Sequence, residues 1–119
     1  MQSTLDEFLQ ARSSVTSTQL STILLRKGVE MREISLRDVM DSRRGMSMGS
    51  YYRILSQGKS NIVKSLYTLL LAARLGVLSL DDFQRLVNLV SRLPEDASSS
   101  DVADVVPLVD ALVRRIVIL

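Results

Sequence analysis

Leucine, isoleucine and valine recur along the chain mostly at helical spacing, and turn signals cut the pattern into about six stretches. Residues 4–12 put Leu5, Phe8 and Leu9 on one face, behind Ser3 as a candidate cap. Residues 17–27 carry the stripe Leu20, Ile23, Leu24, and Gly28 reads as their C-terminal stop. A third helix starts at Ser35, three residues before Asp38, and runs through Leu36, Val39 and Met40 toward Gly45. A fourth spans 47–58 and ends at Gly58; a fifth runs from Ser60 or Asn61 to Leu75, with Gly76 as a left-handed stop. The sixth begins at Ser79 with Asp82 three residues on, carries Phe83, Leu86, Val87, Leu89, Val90 and Leu93, and stops before Pro94. After a polar linker, 95–100, comes a valine-rich end containing Pro107. Proline is tolerated in the first turn of a helix, so a short turn followed by a helix over about 107–116 is expected. The final Ile116-Val117-Ile118-Leu119 also suits a terminal strand. The expected fold is all-α: a bundle of about five to seven helices.

A chain of 119 residues that is 46% hydrophobic fits one compact domain with its own core. Two regions are distinguished within it: a helical part over 1–78 and a C-terminal helical hairpin over 79–119. The hairpin's apolar face either closes the core or pairs with a second copy. The chain has no cysteine and no histidine, which removes disulfides, zinc fingers, thiol nucleophiles and the imidazole base. The acidic first residues lack the apolar core of a signal peptide, and charged residues interrupt both of the most apolar windows. A cytoplasmic protein without a membrane span is expected.

Charge changes the picture more than composition does. The net charge is only +2, but residues 1–76 hold eleven basic and six acidic side chains, whereas 77–119 hold four and seven. No acid occurs between Asp41 and Asp81, while Arg43, Arg44, Arg53, Lys59, Lys64 and Arg74 all lie there. Such a stretch is either a polyanion footprint or a solvated face whose acidic partners come from elsewhere in the fold.

Residues 35–58 read as two helices joined by a tight glycine-containing turn, a helix-turn-helix pattern in which the second helix enters a DNA groove. Ser47 can cap that second helix; Gly49 lets backbone approach phosphate, and Ser50 offers a hydroxyl. Tyr51, Ile54 and Leu55 fall on an inward face, while Tyr52, Arg53, Ser56 and Gln57 fall outward. Arginine and glutamine are side chains that make bidentate contacts with guanine and adenine.

The string Met46-Ser47-Met48-Gly49-Ser50-Tyr51-Tyr52-Arg53-Ile54-Leu55 resembles the recognition helix of prokaryotic helix-turn-helix regulators, archaeal ones among them, which often read Ser-x-Gly-Thr-apolar-Tyr-Arg-apolar-Leu. The resemblance implies that Ser47 caps, Ser50 takes the threonine role, Tyr52 contacts phosphate, and Arg53 contacts base or phosphate. Tyr51 stands where an aliphatic residue is usual. The preceding helix departs from the pattern, with Asp41, Ser42, Arg43 and Arg44 in place of a compact alanine-rich stretch. About ten residues match closely and about twenty-four loosely.

The expected DNA-binding set is therefore Arg43, Arg44, Ser47, Gly49, Ser50, Tyr52, Arg53, Gln57, Lys59 and Lys64. The alternative is ordinary packing of an amphipathic helix in a protein-interaction adaptor. RNA binding or a structural nucleoid role is a third possibility. Asp81-Asp82 fits helix capping better than metal or acid–base work. Gly58-Lys59-Ser60 lacks the upstream strand and glycine of a phosphate-binding loop. No catalytic constellation, metal site or cofactor motif emerges. The expected partners are double-stranded DNA and a second copy of the chain, with no small-molecule substrate evident.

Overall fold

The computed structural model describes residues 4–42, 46–94 and 98–119, apart from the side chains of Thr4, Ser42 and Ser99. Among them the protein is all-helical, with α1 Thr4–Arg12, α2 Ser17–Glu30, α3 Leu36–Ser42, α4 Met48–Arg74, α5 Leu80–Arg92 and α6 Ser99–Ile116. No helix there is long and apolar enough to cross a membrane. The chain divides into two compact units, Gln10–Lys64 and Met1–Leu9 with Ser65–Leu119.

In the unit Gln10–Lys64, capping sets the helix starts. Thr16 and Gln19 form a reciprocal capping box at α2, each side chain holding the other's backbone N–H at 3.1 Å. Ser35 and Asp38 do the same at α3, with Asp38 N–H donating to Ser35 Oγ at 3.1 Å. Val39, Thr22 and Tyr51 are fully buried.

Both glycines expected to stop helices in this unit instead lie inside them. α2 continues past Gly28 to Glu30, and the chain reverses at Arg32, whose φ is +60°. The Gly28 carbonyl accepts the N–H groups of Glu33 and Ile34. A Cβ at Gly28 would stand 3.0 Å from Ile34 Cγ1, so the missing side chain makes room for the returning segment. Likewise Gly58 does not separate a fourth and a fifth helix: α4 runs through it without a break. A Cβ there would meet Ile23 Cδ1 at 3.0 Å and Gln19 Cβ at 3.4 Å. Glycine costs a helix only about 1 kcal/mol relative to alanine, and here it lets α2 and α4 approach closely. Asn61, one turn on, ties the same helices by donating to Gln19 Oε1 at 2.9 Å and the Ser14 carbonyl at 3.0 Å.

In the other unit, α5 and α6 pack together. Val102, Val109 and Ile116 recur every seventh residue on α6 and are its buried positions. Pro107 lies well inside α6 rather than in a first turn, since the helix begins at Ser99 behind the cap Ser98. Proline frees the carbonyl four residues back. That residue, Ala103, and Pro107 itself are both exposed, so water can take the vacant bond. After Ile116 the chain forms a single antiparallel bridge, Leu78 to Val117, instead of a full strand. Ser79 N–H donates to the Ile116 carbonyl and Ile118 N–H to that of Val77, both at 2.8 Å.

One ion pair clamps the ends of α5 and α6. Arg115 reaches Asp82 with two hydrogen bonds, Nη2 to Oδ1 at 2.8 Å and Nε to Oδ2 at 3.2 Å, and Ser79 Oγ donates to the same carboxylate at 3.1 Å. The Arg115 hydrogen bond is the main cause holding the Asp82 carboxyl below its ordinary pKa. A depressed folded pKa adds stability above the ordinary carboxylate range and loses it as pH falls through the folded value. Acid titration should therefore show a loss of thermal stability below about pH 4 that is smaller in Asp82→Asn, which should start from a lower midpoint at neutral pH. Identical acid profiles would remove the clamp from the pH dependence.

Candidate nucleic-acid interface

The first half of α4 separates two faces cleanly. Tyr51 and Gly58 are buried and Ile54, Leu55 and Asn61 half-buried, on one side. Met48, Gly49, Tyr52, Arg53, Ser56, Gln57, Lys59 and Ser60 are all exposed. At 100° per residue these eight fill one continuous half of the helix surface. The expected inward and outward sets are thus the observed ones. Ser60 is an additional member, missed because the helix was expected to break just before it; its signal is the seven-residue spacing from Arg53.

The start of the helix is built as expected from Ser47. Its Oγ accepts the Ser50 N–H at 3.1 Å and its own hydroxyl donates to Ser50 Oγ at 3.1 Å. Ser50 is therefore half-buried and engaged in the cap. A Cβ at Gly49 would meet only Ser47 Oγ, at 3.9 Å, so this glycine borders open space. Backbone N–H groups at such a helix start carry partial positive charge and favour an anion.

Tyr51, at the position where the family resemblance expects an aliphatic residue, is wholly enclosed. Its ring meets Tyr52 edge-on, with centroids 5.1 Å apart and planes at 72°. The contact fixes the Tyr52 ring from below while leaving it 43% exposed, so its hydroxyl can reach outward. The Tyr51 hydroxyl is sealed from solvent and has no partner at full hydrogen-bonding geometry, although the Arg26 guanidinium lies close enough to interact with it. Arg26 of α2 lies near both tyrosines and pairs with Glu30 at 3.4 Å. Burial works against its charge, and the neighbouring Tyr51, Tyr52 and Glu30 outweigh that, so its pKa is raised.

Arg53, Gln57 and Lys64 share one line along α4; from Arg53 to Lys64 the helix advances about 16 Å. Lys59 lies at the edge of the same face. Among the described residues no carboxylate pairs with Arg53 or Lys59. Arg43 and Arg44, with Gly45 of the expected turn, lie outside the described residues. Beside this face a groove of about 490 Å³ runs between α2 and α4, floored by Ile23, Leu55, Ile62 and Val63 and edged by Arg26, Lys27, Glu30 and Lys59. Lys27 was not anticipated as part of a basic edge; it sits on a different helix from the acid-free stretch.

Comparisons with protein-family models, with curated proteins and with solved structures found no match.

Proposed function

We propose that the chain is a DNA-binding protein, in the manner of a transcriptional regulator, and that the exposed face of α4 between Ser47 and Lys64 is its reading surface. The observation that carries this is the segregation along α4. Gly49, Tyr52, Arg53, Gln57 and Lys59 face outward from a capped helix start, and α4 contains no acidic residue. Phosphate attraction would come from Lys59, Lys64 and the helix N-terminus. Arg53 and Gln57 would meet base edges, and Tyr52 a phosphate. Arg43 and Arg44 join the proposed set through their charge and their place in the sequence.

An adaptor role is favoured by a different observation, the apolar floor of the groove between α2 and α4. The two roles separate in amide chemical-shift mapping with a short duplex at low salt. DNA reading predicts shifts concentrated at Ser47, Gly49, Tyr52, Arg53, Gln57 and Lys59. An unchanged spectrum, or shifts confined to α5 and α6, would exclude this face as a duplex site.

A further inference from the structure

The distal part of α4 has its polarity inside out. Leu66, Tyr67, Leu70 and Leu71, with Leu75 just past the helix end, are each 56–70% exposed. The half-buried positions of the same segment are Leu69, Ala72 and Ala73, two of them small. A helix that served only its own chain's core would turn the large residues inward. Contiguous apolar surface of this kind marks an interaction site.

We infer that this stripe seats the same stripe of a second copy, making the protein a two-fold dimer through α4. Three features favour a copy over another occupant. Leu66 and Leu70 form one row at a spacing of four, and Tyr67, Leu71 and Leu75 form the next. Paired rows of that spacing interdigitate when two like helices cross at about −50°. A two-fold interface requires a surface that complements itself, and no charged side chain lies between Leu66 and Leu71 to oppose its own copy. The area also suits a dimer. Covering a half-exposed large side chain removes on the order of 100 Å², so the five residues supply ~500 Å² per copy. Two copies then bury ~1,000 Å² in total, about the least that a specific interface needs. Exposed apolar residues on α5 and α6, such as Leu80, Val87, Leu108 and Val113, are spread over two helices and form no comparable row.

The inference does not depend on DNA binding and is tested without DNA. Light-scattering mass at micromolar concentration should give twice the 13.3 kDa chain mass. Leu70→Glu should give the single-chain mass with its helical circular dichroism retained. Because the chain has no cysteine, Leu70→Cys carries the only thiol, and mild oxidation should link two copies; Leu108→Cys on α6 should link far less. The cross-link decides the matter if Leu70→Glu loses its helicity. A wild-type mass of 13.3 kDa, or a dimer that survives Leu70→Glu and cross-links through Leu108→Cys but not Leu70→Cys, would overturn the interface.

Discussion

Tyr51→Ala should cost about 3–5 kcal/mol, the range for truncating a large buried aromatic side chain. Tyr51 has no exposed surface, and its side chain is the largest that is fully buried among the described residues. It sits near the start of α4, so the cavity would open beside Tyr52, whose ring it touches. Total stabilities of small proteins are about 5–15 kcal/mol, so the loss is a large fraction of the whole. Tyr51→Phe should behave oppositely. It removes an enclosed hydroxyl with no partner at full hydrogen-bonding geometry, its one neighbouring interaction being with Arg26, and relieving such a group leaves stability unchanged or higher. Urea unfolding of both variants checks the pair. A Tyr51→Phe protein less stable than wild type would mean that the interaction of this hydroxyl with the Arg26 guanidinium is a stabilising hydrogen bond in solution.

Joint replacement of Arg53 and Lys59 by alanine should have the largest effect on binding. Both side chains are exposed, so the fold should be unaffected. Arg53→Ala alone should weaken specific duplex binding by about 1–3 kcal/mol if it contacts a base. Lys59→Ala should weaken all duplexes alike and lower the salt slope by about 1, the signature of one lost phosphate contact. Since the two lie on one helix face and share no partner, their effects should add.

Much of this surface is legible in the sequence. The phase that places Tyr51, Ile54 and Leu55 inward and Tyr52, Arg53 and Gln57 outward follows from helical spacing alone. The Ser35–Asp38 box and the Ser47 cap follow from local hydrogen-bonding chemistry. Glycine is where local reasoning fails. A missing side chain serves either a left-handed turn or a close approach, and only the tertiary neighbour decides which. Ile34 decides it at Gly28 and Ile23 at Gly58, while the left-handed turn after α2 falls to Arg32. Gly76, with φ +75° and open space where a Cβ would stand, is the left-handed stop that was expected. Pro107 misleads for a related reason, because its cost depends on whether the freed carbonyl faces water. The outward turn of Leu66, Leu70 and Leu71 was illegible too, since periodicity groups residues on a face without saying what that face meets.

The most direct test of the reading surface is duplex affinity measured across a range of salt for wild type and for the Arg53→Ala/Lys59→Ala protein. A DNA-reading face on α4 predicts tight binding at low salt for the wild type, falling linearly on a log–log plot. It predicts weaker binding and a shallower slope for the double variant. Equal affinities and equal slopes for the two proteins, or no duplex binding by the wild type at low salt, would contradict it.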